Sequence, residues 1–473
     1  MATLAPMMDT PPPPTRQLFA VMQAGNGLRR RSFGRQERDA ALNRLAQAIR
    51  RHEAELVAAL HADLGRPQAE TLLAEYLPLL QEIRHARRHL GRWMRPRRAW
   101  PTPATFGTSA RIDRQPRGTC LIIAPWNFPF LLALGPLVSA LAAGNAAILK
   151  PSELTPATSA LIARIVAETF PADLVAVVQG DKSVASELLA LPFDHIFFTG
   201  SPAVGRIVMA AAARTLASVT LELGGKSPVI IGPDADLKQA ADWITFGKFL
   251  NAGQTCIAPD HLYVHAAIRD RFLAALRDRI ARAYGSDKAR RNLARIVTPA
   301  HARRLAALIA DAAEKGATFP LLASATGPVL GPHLVEDTTP DMRLSQEEIF
   351  GPILPVLTYS DLDQLLGTLN AREKPLALYI FDRDTARVER IIRATSSGGV
   401  GVNLTLMQFS HPNLPFGGVN GSGIGAAHGL AGFLAFSHER AVLRNRFLPL
   451  PLLFPPYTRR VMRLVGLLKR VLG

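Results

Sequence analysis

The stretch GTCLIIAPWNFPFLLALGPLVSALAAGNAAILKPSE, residues 118–153, decides the fold class. Thr119-Cys-Leu-Ile-Ile-Ala is a continuous apolar run of the kind found in strands buried on both faces. Pro129 to Ala143 carries a helical pattern that Gly144 closes, and Ala146-Ala-Ile-Leu is a second buried strand. The long apolar tract Leu131–Leu149 is interrupted by Gly135, Pro136, Gly144 and Asn145, so it reads as helix, turn and strand in a core and not as a membrane span.

The alternation continues outward. Pro156 opens a helix that runs to Phe170. Leu174-Val-Ala-Val-Val is a third strand and His195-Ile-Phe-Phe a fourth. Such a sequence predicts a parallel sheet covered by helices, with ligands at the carboxyl ends of its strands. A second alternating region follows Glu222, with strands at Pro228-Val-Ile-Ile, Ile353-Leu-Pro-Val-Leu, Ala377-Leu-Tyr-Ile-Phe and Gly399-Val-Gly-Val-Asn. Helices Ala266–Ala283 and Pro299–Lys315 lie between them. Upstream, Arg35 to Arg92 is helical by its three-and-four spacing of apolar residues, and Arg95 to Arg117 is an extended hairpin or a linker. The chain therefore reads as two α/β domains.

Its 473 residues, 48% of them hydrophobic, suffice for two or three domains. Cys120 and Cys256 are the only cysteines; Cys120 falls in a strand, which predicts two free thiols and a reducing, cytoplasmic setting. Residues 1–14, with Pro11 to Pro14, read as a disordered or polyproline lead-in without a secretory signal. The net charge is +17, with denser basic clusters at Arg87–Arg98, Arg290–Arg304 and Arg459–Arg470. Aromatic residues, at 7%, do not interleave with these clusters as stacking platforms would, which argues against nucleic acid as a partner.

Two nucleotide motifs fail. Gly225-Lys226-Ser227 resembles the end of a phosphate-binding loop, but Thr220 stands where that loop needs glycine. Gly417 to Gly425 is glycine-rich but follows no strand, so it reads as a loop. Phe198-Thr-Gly200-Ser201-Pro-Ala-Val-Gly205 is better placed, between a strand and a helix whose free N–H groups suit a phosphate; close packing is the other explanation of its glycines. Lys150-Pro-Ser-Glu153 ends a strand where a ribose could be held, or is a solvated loop. Asn127, between Pro125 and Pro129, either serves an oxyanion or caps a helix. Glu222, among apolar residues, is either a general base or a partner of Lys226. Cys256 follows the turn Gly253-Gln-Thr, just beyond a helix at Leu237–Phe249, where a thiol can reach a substrate or sit inert in the core.

Together PWNFP (125–129), LKPSE (149–153), FTGS (198–201), LELGGK (221–226), GQTC (253–256), EEIFGP (347–352) and LPFGG (414–418) resemble the aldehyde dehydrogenase superfamily, in its order and spacing, from about Glu70 to Arg440. GQTCIAPD, the spacing of FGGVNGSG and the ending PPYT are most similar to the class 3 branch, in particular the bacterial coniferyl aldehyde dehydrogenases. The resemblance implies an α/β fold with a Rossmann-like cofactor domain (1–96 and 118–221), a catalytic domain (222–406), an oligomerisation element (97–117 and 407–445) and a separate tail (446–473). It also implies a homodimer, NAD or NADP as cofactor, and no metal.

By that resemblance Cys256 is the nucleophile, Asn127 and the Cys256 amide stabilise the oxyanion, and Glu222 activates the deacylating water. Trp126, Lys150, Glu153, Gly200, Ser201, Gly205, Glu348 and Phe350 are the implied cofactor residues. A CoA-acylating enzyme is the nearest alternative, though such enzymes generally lack the glutamate that stands here at 222; a non-catalytic protein on the same scaffold is another. Leu404, Asn420 and Ala427 depart from the branch, which bears on the substrate and not on the reaction.

The tail has its own signal. From Arg459, a helix would place Val461, Leu464, Val465, Leu468, Val471 and Leu472 on one face and Arg459, Arg463 and Arg470 opposite. It is expected either to lie on an anionic membrane, at the inner surface, or to dock on the protein over the substrate entrance.

Overall fold

The computed structural model describes residues 15–286, 292–322 and 329–472, with the side chains of Leu322, Val471 and Leu472 outside the description. The lead-in at Pro11–Pro14 and Arg290 of the second basic cluster lie outside the described residues.

All four strands expected between Gly118 and Phe198 fall in one sheet. Its order is Gly423–Ile424, Ser218–Glu222, His195–Thr199, Thr119–Ile123, Ala146–Lys150, Val175–Val177, parallel throughout except for the first strand. From Thr119–Ile123 the chain moves outward to one side through two strands, then returns to fill the other side. That reversal opens a crevice beyond the carboxyl ends of Thr119–Ile123 and His195–Thr199, the place where such sheets hold ligands. The register Ile123↔Lys150, Ile123↔Phe198 and Thr199↔Glu222 brings Lys150, the Asn127 turn, Ser201 and Glu222 to one edge.

The helix Pro129–Ala143 is buried almost all round, as its apolar composition requires. Leu134, Leu137 and Leu141 are fully enclosed, and truncating any of them to alanine costs about 2–5 kcal/mol. Gly144, at φ 92°, ends the helix in the left-handed region that glycine enters freely.

A seven-stranded sheet runs Thr318–Leu322, His333–Glu336, Ile353–Tyr359, His261–His265, Pro228–Ile231, Ala377–Phe381, Gly399–Val402, with only the first pair antiparallel. Residues Arg97–Ala99 and Thr108–Pro116 form an antiparallel hairpin, completed by Ser437–Asn445 into a third sheet.

Several strands went unread. Thr318–Leu322 and His333–Glu336 are short, and Ser437–Asn445 mixes charged residues with exposed Ala441 and Leu443, so no sustained apolar run or alternation marks them. The glycine-rich segment read as a plain loop contributes Gly423–Ile424, which pairs antiparallel with Glu222 and Leu221. Glycine makes this approach feasible: a Cβ on Gly423 would lie 2.5 Å from the Leu221 carbonyl oxygen.

Candidate active site

The helix Leu237–Phe249 ends in a strained turn. Asn251 and Ala252 have φ of 52° and 53°, a left-handed conformation that costs non-glycine residues roughly 1–3 kcal/mol each. Both are completely buried, and polar contacts hold them there. The Asn251 amide donates to the carbonyls of Asn127 (2.9 Å) and Gln254 (3.2 Å), while its backbone N–H donates to Glu70 (3.0 Å). Gln254 donates to the Asn251 and Arg295 carbonyls and accepts from the Val297 N–H. Cys256 follows on this braced loop.

A buried ion pair extends the bracing. Arg66 and Glu75, whose side chains are wholly enclosed, pair with each other, and Arg66 also donates to the Asn127 carbonyl and the Asn251 side chain. The second Glu75 oxygen accepts the N–H groups of Phe130 and Leu131 at 2.8 Å, so Glu75, not Asn127, caps the helix Pro129–Ala143. Burial pushes the Glu75 carboxyl up, and Arg66 opposes that. One cation thus ties together the Asn127 turn, the cysteine loop and a helix start. Sequence reasoning missed Arg66 and Glu75; the available signal was an isolated arginine after the helix-ending Gly65 and an acid on an otherwise apolar face.

The Asn127 amide donates to the Gln254 carbonyl at 3.1 Å, which leaves its second N–H. Glu222 and Cys256 line one cavity of about 340 Å³, and Asn127 is buried. Leu77, Leu131, Leu132, Phe128, Phe246 and Phe416 make most of that cavity apolar. Ala427, one of the departures from the branch, also lines it; Asn420, another, adopts φ 56° and accepts from Lys374.

Glu222 is 5% exposed, and neither carboxylate oxygen has a hydrogen bond among the described residues. Its expected alternative partner is engaged elsewhere: Lys226 donates to Asp260 (2.6 Å) and to the carbonyls of Leu344 and Glu347. Burial alone pushes the Glu222 carboxyl well above the usual range. Cys256 is raised to about 12, first by burial and then by Glu348 and Glu222, while the N–H groups of Cys256 and Ile257 favour its thiolate.

Lys150 is 4% exposed and donates to Glu153 at 2.6 Å, so the segment is no freely solvated loop, although Glu153 itself is exposed. Ser201 caps the helix Pro202–Ala213 by accepting from the Val204 N–H. Gly205 lets that helix approach Leu223, whose Cδ2 would lie 2.7 Å from an added Cβ. Trp126 meets Phe350 edge-on at 5.4 Å between ring centres. Glu348 sits against Gly224, where any Cβ would lie 2.2 Å from its carboxylate, and burial pushes its carboxyl up to about 7. Asp260 fixes the Glu348 segment by accepting the Ile349 N–H at 3.0 Å and by pairing with Lys226. A buried lysine at a strand end, a capped helix start and a carboxyl against a glycine cradle fit a dinucleotide: the helix start its phosphates, and Lys150 and Glu348 its riboses.

Comparison with known proteins agrees. The model of the aldehyde dehydrogenase family matches residues 20–442. The chain is 42% identical to the 4,4'-diaponeurosporen-aldehyde dehydrogenase of Staphylococcus aureus, over 88% of this chain and 91% of that protein. It is 41% identical to a probable coniferyl aldehyde dehydrogenase of Pseudomonas aeruginosa, covering 90% of each. The structure of substrate-bound Staphylococcus aureus AldH superposes with a TM-score of 0.91 at 38% identity, covering 96% of this chain and 99% of that one. The chain belongs to the aldehyde dehydrogenase family and has its fold. It is an NAD(P)-dependent oxidoreductase that converts an aldehyde to its carboxylic acid.

Proposed function

We propose that this enzyme oxidises apolar aldehydes, aromatic like coniferyl aldehyde or medium- to long-chain aliphatic, through a covalent intermediate on Cys256. The observation that carries this reading is the apolar cavity that ends on Cys256 and Glu222. The Cys256 thiolate adds to the aldehyde carbon, and the oxyanion accepts hydrogen bonds from the Asn127 amide and the Cys256 N–H. A nicotinamide held beside Cys256 would supply the oxidising equivalent, taking up the aldehyde hydrogen with two electrons. Glu222 then takes a proton from the water that hydrolyses the thioester. Lys150, Glu153, Gly200, Ser201, Gly205, Trp126, Glu348 and Phe350 hold the cofactor. A kcat/KM panel of coniferyl, benzyl and aliphatic aldehydes with each cofactor, with and without CoA, tests this. Turnover that requires CoA, or a preference for small polar aldehydes, would sink it.

The segments 1–96 and 118–221 serve the cofactor, and 222–406 the chemistry. Residues 97–117 and 407–445 assemble a homodimer; in support, Ser437–Asn445 has an unpaired outer edge within its own sheet. Among the described residues, no helix is long and apolar enough to cross a membrane. The tail helix Arg459–Leu472 packs on the turn Leu450–Leu453, with Val461 buried and Leu464 and Val465 half-buried. None of its described residues lines the cavity, which leaves the entrance-cap alternative without support from within one chain. Met462 and Leu467 remain 58% exposed beside exposed Leu452, Phe454 and Tyr457, which favours contact with an anionic membrane surface. Deleting Thr458 to Gly473 should abolish salt-sensitive co-sedimentation with anionic vesicles; a full-length protein that ignores such vesicles at low salt would end the idea.

A further inference from the structure

The substrate cavity has a more polar neighbour. A second pocket of about 590 Å³ shares Gln81, Met407, Ser410 and Pro412 with it, so the two adjoin. The helix Leu77–Trp93 lines both. Leu77, Pro78 and Gln81 face the inner cavity, and Gln81, Arg84, His85 and Arg88 the outer one. From Leu77 to Arg88 this stripe advances ~16 Å along the helix axis, at 1.5 Å per residue.

The charges are sorted along this path. Both acids that line it, Glu82 and Glu222, belong to the inner cavity. Arg84, Arg88, His85 and His411 line the outer pocket, and among the described residues no carboxylate does. Arg87, on another face of the same helix, is paired with Asp39 and Asn43. Arg84 and Arg88 are exposed and have no ion pair or hydrogen bond among the described residues. The local field is felt by His85, whose imidazolium is disfavoured by burial and then by His89, Arg88 and His411.

We propose that the preferred substrates are ω-oxo carboxylic acids: apolar aldehydes with a carboxylate at the remote end, bound by Arg84 and Arg88 one helical turn apart. The inference rests on the apolar-aldehyde reading above. A guanidinium is a planar fork that matches a carboxylate, and two of them facing no internal acid are free to meet an external one. The same sorting orients the molecule. A carboxylate entering first would lose its water in a cavity lined by no arginine or lysine among the described residues, whereas an aldehyde entering first leaves its carboxylate among the arginines.

The test compares decanal with 10-oxodecanoate, equal in length, on the full-length enzyme with its cofactor. The oxo acid should show a kcat/KM about tenfold higher at low salt, mainly through KM, and the advantage should shrink as salt rises. In the double variant Arg84→Gln/Arg88→Gln the preference should fall to about one. Arg84→Glu should reverse it, while Arg87→Gln should keep it. Equal kcat/KM for the two substrates in the native enzyme, or equal losses with both in the double variant, would overturn the proposal. So would losses confined to decanal presented in anionic vesicles, since the arginines would then serve lipid head groups. Failure to oxidise decanal at all would instead defeat the apolar-aldehyde reading.

Discussion

Cys120 and Cys256 are the same residue in opposite circumstances. Cys120 lies in the middle of the strand Thr119–Ile123, paired with Ala147 on one side and His195 on the other, and fully enclosed. Its thiol is pushed far up by burial and by Asp194. Cys256 is also pushed up, yet it lines a cavity, follows two left-handed residues and has backbone N–H groups beside its sulfur. A regular strand buries a thiol by satisfying its own backbone. A strained loop exposes one only where other groups supply the missing hydrogen bonds, and here Arg66, Asn251 and Gln254 supply them.

The largest expected effect separates the two directly. Cys256→Ala should lower turnover by more than about a hundredfold, while Cys120→Ser should keep most of it; NADH release measures both. Loss of activity in both variants would erase the contrast. Next in size, Glu222→Gln should still acylate and then stall. Rapid mixing should show a burst of about one NADH per active site before a suppressed steady state, and an unchanged steady state would assign the base elsewhere.

Removing the brace should come third. Arg66→Met leaves Glu75 buried without its cation, a change that costs about 3–5 kcal/mol when a buried pair is broken. It should lower the melting temperature and, because Asn127 and Asn251 lose a shared partner, lower kcat as well. A fall in stability with kcat untouched would show that the loop holds its shape unaided.

The smallest effect sharpens the electrostatics. Glu348 and Glu222 oppose the Cys256 thiolate, so removing one negative neighbour eases its formation. The pH dependence of alkylation by iodoacetamide should therefore move to lower pH in Glu222→Gln, while Cys120 resists alkylation in the folded protein at every pH. A shift to higher pH would mean that Glu222 assists the thiol instead.

These contrasts also mark what was legible in the sequence. Apolar runs and a proline-to-glycine helix between them are local signals, so the strands around residues 118–153 and the helix Pro129–Ala143 were readable. The chemistry-bearing segments were readable as motifs. Their neighbours were not: nothing local to Glu222 says that Lys226, four residues on, turns away to Asp260 and the Glu347 carbonyl. Likewise, Asn127 is a plausible cap until Glu75, more than fifty residues upstream, takes that place. Long-range polar pairing leaves no periodicity behind, and the charged edge strand Ser437–Asn445 was missed for a related reason: its partners, not its pattern, make it a strand.

The pairing of Glu222 with Gly423 has a consequence for how the enzyme comes into being. The candidate base sits on a strand whose outer neighbour is made about 200 residues later. At the 5–20 residues per second of protein synthesis, that interval is about 10–40 s. Throughout it, the edge of the first sheet has no partner from its own chain, and the cavity lacks Phe416, Ala427 and His428. A nascent chain that already carries Cys256 is thus an unfinished vessel for a reactive aldehyde, completed only once residues 416–428 have been made.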